Sequence, residues 1–426
     1  MSALSRPIGA VSYVAVLRTP GAARAFAAST VVRLSYGTVL LSLLLTVQTV
    51  TGSFGAAGAA LGALGVPAVL LPVKSRAVDR YGRRRVLAPL GIAYASTLGL
   101  IAAAAGAGVR QAALYVVLSA TAGLLTPPVG PIMRSIWATL APEPGARQQA
   151  YALDSVVEES VFAGAPVLVG VIVAVTQPLV ALVVTAVLAL VGTLGLATSA
   201  LAELPLADKP AGRRGLLGPL ASQQLRWVLL VMLVVGVGLS PLELAVAARA
   251  TSAGHPAAAG YLLATLSVGS AAGGLLWGRL RHSRPYFRQL LALLTVLATG
   301  TAVAGLVPTL PALGAVLALT GLAVAPCFVV AYLAADLLTD PDMRTEATTW
   351  VATASNLGGA AGAAAAGYVI DRTSADIALL SAGAALAVFA AALAALRVRH
   401  TDTTASAPDG EVREDVRAPG PWKDAP

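Results

Sequence analysis

The sequence predicts an all-α integral membrane protein, with twelve transmembrane helices in two six-helix, pseudo-symmetric bundles. Three observations carry this. Apolar residues make up 57% of the 426-residue chain, charged residues only 12%, and the mean hydropathy is +0.80. A soluble domain carries about a quarter charged residues, so this chain cannot cover a globular surface. The apolar residues fall into runs of about 20, the length that crosses a hydrocarbon core of about 30 Å. Lysine and arginine collect in alternate links between those runs.

The expected spans follow in order. Span one (27–50) comes after a basic arm, 1–26, with Arg6, Arg18 and Arg24 and no small-residue cleavage site, so it is not read as a secretory signal. Span two (54–73) carries Gly55, Gly58, Gly62 and Gly65, spaced for close helix packing, and ends at the basic run Lys74 to Arg85. Arg110 separates span three (86–106) from span four (112–137), and Arg147 precedes span five (150–175). Span six (179–200) closes the first half. The stretch 201–225, with Pro205, Pro210, Arg213 and Arg214, reads as a cytoplasmic linker. Spans seven (226–248) and eight (257–278) are parted by Arg249. Arg279 to Arg288 lead into span nine (289–307), followed by span ten (311–337). Arg344 opens span eleven (346–370), and Arg372 parts it from span twelve (374–397). Residues 398–426, rich in acids and proline, are expected to be a disordered cytoplasmic tail.

Of the 29 Lys and Arg residues, 26 fall on one side of this arrangement and 3, Arg110, Arg249 and Arg372, on the other. The positive-inside rule then makes both termini cytoplasmic, in a multi-pass protein of the plasma membrane. The net charge of +9 thus reflects topology, not nucleic-acid binding. The halves 27–200 and 226–397 are 174 and 172 residues long. Arg147-Gln-Gln-Ala150 and Arg344-Thr-Glu-Ala347 open spans five and eleven 197 residues apart, and Gly170 falls on Gly367 at the same offset. Both features point to duplication. The single Cys327 excludes a disulfide framework, and the scattered His255, His282 and His400 argue against a metal site, so no cofactor is expected.

Between spans two and three runs Lys74-Ser-Arg-Ala-Val-Asp-Arg-Tyr-Gly-Arg-Arg-Arg85. Gly82 allows a positive φ, and a carboxylate at Asp79 favours a helix N-terminus. Asp-Arg-x-Gly-Arg-Arg in this place resembles the signature of the major facilitator superfamily, with Ser75 at the usual first glycine. Twelve spans, the 6+6 division and the central linker share the resemblance. It implies a transporter, and a conformational latch at Asp79, Arg80, Gly82 and Arg83 that binds the other half in one state and releases it in the other. The matching segment after span eight, Gly278 to Arg284, lacks the aspartate, which makes the latch asymmetric. In span five, Pro166 and Gly170 match part of the superfamily's antiporter signature, while Val161, Ala165 and Val169 replace its glycines. The drug exporters' arginine in span four is absent; Ser119 stands there.

Ionisable residues within a membrane default to functional candidates. Span five has Asp154 and Glu158 on one face and Glu159 about 100° away. Asp154 lies about one turn from the basic end, within reach of water, while Glu158 and Glu159 lie deeper. The three are candidate proton carriers, with Glu243 of span seven as a fourth. The alternative is a structural ion pair of a glutamate with Arg33, Arg134 or the latch arginines. A polar stripe in span one, Ser35, Thr38, Ser42, Thr46 and Thr49, with Arg33, Tyr36 and Gln48 beside it, and Asn356 in span eleven are candidate cavity walls. Serine and threonine can equally bond their own helix.

The expected function is secondary transport of a small organic molecule by alternating access, coupled to protons and directed outward, by a monomeric chain. An uptake symporter of the same fold is the alternative, and a non-transporting sensor a distant third. No hydrolase, protease or nucleotide-binding motif favours an enzyme.

Overall fold

In the computed structural model, residues 21–140, 144–199, 201, 218–279, 284–340 and 343–405 are described. Most of the N-terminal arm, most of the linker and the tail beyond 405 lie outside them. The twelve spans observed are Ala22–Thr51, Phe54–Tyr81, Arg83–Gly106, Ala112–Leu140, Pro144–Val175, Pro178–Ala197, Gln223–Ser252, Ala258–Arg279, Tyr286–Ala304, Leu310–Leu337, Arg344–Arg372 and Ala375–Ala405. The last runs past 397, into the segment expected to be unstructured. Links such as Gly52-Ser53 and Thr373-Ser374 are short, so neighbours run antiparallel. Arg83 to Arg85, Arg134, Arg226, Arg279 and Arg284 thereby gather at one end, here called the basic end; Arg110, Arg249 and Arg372 lie at the far end.

Nine helices among the described residues are long and apolar enough to cross a bilayer on composition alone. Spans two, five and eleven are not among them; spans two and five hold only the shorter apolar stretches Phe54–Leu70 and Ser160–Val175. These three carry the basic run, the acids and the glycines, and all three face other protein across the seams described below.

Three spans are broken, each beside proline. In span two the helix tightens to a 3-10 turn over Val66–Leu70, at Pro67. Span four is interrupted at Thr126-Pro127-Pro128. Span ten breaks at Leu322-Ala323, where Pro326 has no N–H to give the Leu322 carbonyl. The break in span four is filled from its own half. Pro127 cannot donate to Gly123 O and Pro131 cannot donate to Pro127 O. Instead Lys74 Nζ donates to Gly123 O (3.0 Å) and Thr126 O (3.1 Å), and the Tyr36 hydroxyl donates to Pro127 O (2.7 Å).

The two halves repeat one packing scheme. Spans one and six, three and six, two and four, and one and five pack together; so do seven and twelve, nine and twelve, eight and ten, and seven and eleven. Between the halves, span two lies along eleven and five along eight. These seams are made by small residues that let backbones touch. A Cβ on Gly58 would stand 2.3 Å from the Ala363 carbonyl oxygen, and one on Gly260 2.2 Å from that of Pro166. Gly170 meets Ala257 and Gly260, and Gly367 meets Phe54 and Gly55, so the pair 197 residues apart occupies equivalent seam positions.

The buried core divides in an informative way. One cluster crosses both halves at the far end, from Leu43, Ala57 and Leu98 to Leu244, Leu262 and Ala363. At the basic end there are two separate clusters. One holds Val78, Leu87, Met133 and Trp137 of the first half, the other Leu225, Leu290, Ala331 and Val351 of the second. Among the described residues, the halves thus share a core at the far end and keep separate cores at the basic end.

Within the second half, spans seven and eleven approach most closely at Gly358, where a Cβ would fall 1.8 Å from the Leu233 carbonyl oxygen. Gly358→Ala is expected to destabilise the protein by about 1–3 kcal/mol through overpacking. Gly99→Ala, with open space around it, should not. Thermal unfolding of the two variants in detergent checks this.

Candidate functional site

The charged centre lies where spans one and five pack together. The Arg33 guanidinium forms a bidentate pair with Asp154, Nη1 to Oδ1 at 2.7 Å and Nη2 to Oδ2 at 2.8 Å. Glu158, one turn deeper on the same face, has Oε2 at 3.9 Å from the same Nη2. The Arg33 and Asp154 side chains are 2% and 7% exposed, whereas that of Glu158 is 38% exposed. The expected wetting of Asp154 is thus corrected: Arg33 reaches across from span one and covers it. Of the ion pairs weighed from the sequence, the one with Arg33 is present, with Asp154 as its close mate and Glu158 at the edge.

Forked geometry commits both guanidinium nitrogens to one carboxylate. Two carboxylates then face one cation, Asp154 enclosed and Glu158 open at the edge. Glu159 lies in the same helix, with its side chain outside the described residues. Glu243 is half-buried after Pro241 in span seven and has no hydrogen-bond or ion-pair partner among the described residues.

The polar stripe of span one is a helix-packing surface. Ser35, Thr38, Ser42 and Thr46 are buried. The Ser35, Thr38 and Ser42 hydroxyls donate to carbonyls of their own helix, and Thr185 of span six donates to Thr38 Oγ1 at 2.9 Å. Tyr36 is held on the broken span four and edge-on to Tyr94. Gln48 is half-buried near the far end of span one. Asn356 is exposed in mid-span, and its backbone carbonyl lies beside Gly65 of span two.

In the basic segment, Gly82 has φ 90° and ends one helix while starting the next, as its place in the motif predicts. Arg83 is buried and donates to the Leu201 carbonyl (3.1 Å), just past span six, and to Ser135 Oγ of span four (2.9 Å). Arg80 is exposed over the Tyr81 ring. The Asp79 backbone is helical; its side chain lies outside the described residues. Pro166 and Gly170 sit on the span five–span eight seam. An apolar groove of about 470 Å³ between spans eight and ten, lined by Tyr261, Leu262, Thr265, Pro311 and Ala318, holds no charged residue.

The sequence profile of the Major Facilitator Superfamily matches residues 244–425. Solved structures share the fold over most of the chain. The crystal structure of the nucleoside transporter NupG matches with a TM-score of 0.67 at 16% identity, over 88% of this chain and 98% of that one. A bacterial homologue of the human lysosomal transporter Spinster, inward-facing and occupied, matches at 0.65 and 14% identity, over 93% and 98%. An auto-inhibited POT family peptide transporter matches at 0.60 and 13%, again over 93% and 98%. No curated protein sequence matches the chain. The fold of this multi-pass membrane protein is therefore that of the major facilitator superfamily, and the sequence of its second half matches that superfamily's profile.

Proposed function

We propose that the protein is a secondary transporter that moves a small organic molecule across the plasma membrane by alternating access, driven by protons and directed outward. One observation carries the alternating-access reading: a single core joins the halves at the far end, while each half has its own core at the basic end. Halves built this way can stand apart at the basic end with their own cores intact, and the shared far-end core is what must part in the opposite state. The positive-inside rule puts the basic end in the cytoplasm, and the arrangement is then inward-open. The latch in this reading is Asp79, Arg80, Gly82 and Arg83, at the basic end of span two.

Arg33, Asp154 and Glu158 support the proton reading, with Glu158 carrying the exchangeable proton. Glu243 and Glu159 are the further acids in reach. Outward direction rests on the partial antiporter pattern, whose Pro166 and Gly170 lie on the seam. Gln48 and Asn356 are the polar candidates for cargo contact. The structural neighbours are named as carriers of nucleosides and of peptides, so cargo chemistry belongs to cavity side chains and not to the fold.

The test is transport in inverted membrane vesicles with a cargo panel of nucleosides, short peptides and lipophilic organic ions. A proton gradient, acidic inside, should drive accumulation of one class, and a protonophore should abolish it. Accumulation only in right-side-out vesicles would contradict export.

A further inference from the structure

The far-end seam between spans two and eleven holds one feature that the packing of small residues does not require. The Asp371 carboxylate, at the end of span eleven, reaches into the first half. Its Oδ1 accepts the Phe54 N–H at 2.7 Å. Its Oδ2 accepts the Gly55 N–H at 2.8 Å and the Ser53 hydroxyl at 2.5 Å. Ser53 in turn caps its own helix, with Oγ accepting the Ala56 N–H at 2.9 Å. The Ser53 carbonyl accepts the Ala57 N–H at 3.3 Å. The first turn of a helix leaves its N–H groups without partners. Here all are satisfied, two of them by a residue of the other half-bundle.

We propose that Asp371 is a lock on the far end of the two halves, held by span eleven and seated on the N-terminus of span two. Its charge meets the positive helix end, and its bonds are charge-assisted. Gly55 makes the seat possible: a Cβ there would stand 2.8 Å from Asp371 Oδ2. The other seam lacks the device. At the 197-residue offset that pairs Gly170 with Gly367, Asp371 falls on Ala174, which has no carboxylate. The two seams thus share their glycine contacts, and among the described residues only one is closed by a charge. Asp371 is exposed, so water replaces its bonds when the seam parts, and the lock is reversible. The role in a transport cycle rests on the alternating-access reading; the seam contact can be tested without it.

The test is cysteine accessibility from the far side of the membrane. The one native thiol, Cys327, is buried and is replaced by alanine. A cysteine is placed at Ala360, which packs against Gly62 and Gly65 inside the seam, and is labelled with a membrane-impermeant maleimide. Asp371→Asn should raise the labelling rate about tenfold, and Ser53→Ala should raise it less. A control cysteine at Ala102, which span three contributes to the far-end core away from this seam, should stay unlabelled in both variants. Unchanged labelling at position 360 in both variants would overturn the proposal. So would an equal rise at position 102, which marks general loosening of the bundle. If Asp371→Asn does not fold, Ser53→Ala carries the test alone. Loss of the labelling effect with transport intact would remove the lock and leave the transport reading standing.

Discussion

Glu158→Gln is expected to abolish proton-driven accumulation while leaving downhill exchange of cargo in place. Glutamine keeps the size and hydrogen-bonding capacity of the side chain but cannot take up or release a proton. In this variant Arg33 and Asp154 form a neutral pair, with no second acid to load. The site should then behave as though permanently protonated, and cargo should equilibrate at a rate insensitive to the pH gradient. Reconstituted vesicles with an imposed gradient separate the two activities. If gradient-driven accumulation survives in Glu158→Gln, the proton site lies elsewhere, and Glu243→Gln becomes the variant to measure.

Arg33→Met should be the most damaging single substitution in the site. It strands the Asp154 carboxylate between spans one and five with no counter-charge. Removing one partner of a buried pair costs about 3–5 kcal/mol, whereas replacing both with apolar residues of similar volume is often close to neutral. Arg33→Met combined with Asp154→Leu should therefore recover most of the thermal stability that Arg33→Met loses. The recovered protein should still fail to couple transport to protons, because Glu158 has lost its cation. Equal stability of Arg33→Met and the parent protein would mean that the pair is hydrated.

The spans were legible because a bilayer imposes a length and an apolar composition on each, and lysine and arginine record its two sides. The breaks in spans two, four and ten were readable from Pro67, Pro127-Pro128 and Pro326 in principle. A hydropathy average runs straight over such prolines, because a single residue barely changes it. Gly82 was legible because a left-handed turn leaves few other choices. The Arg33–Asp154 pair was not, since its members lie 121 residues apart and their meeting depends on how spans one and five rotate about their axes. The same limit explains the stripe of span one: helical spacing showed that Ser35, Thr38 and Ser42 share a face, but not that span six covers it. Asp371 is not legible in the sequence, because a carboxylate at a helix end, beside Arg372, looks like a solvated charge until the partner helix is in place.

The most direct test of the central claim is an infrared titration of the reconstituted protein, which reads carboxyl protonation without any cargo. The account predicts that the protonated-carboxyl band gained on acidification has a component that Glu158→Gln loses and Glu243→Gln keeps. A band that Glu158→Gln leaves unchanged would contradict it.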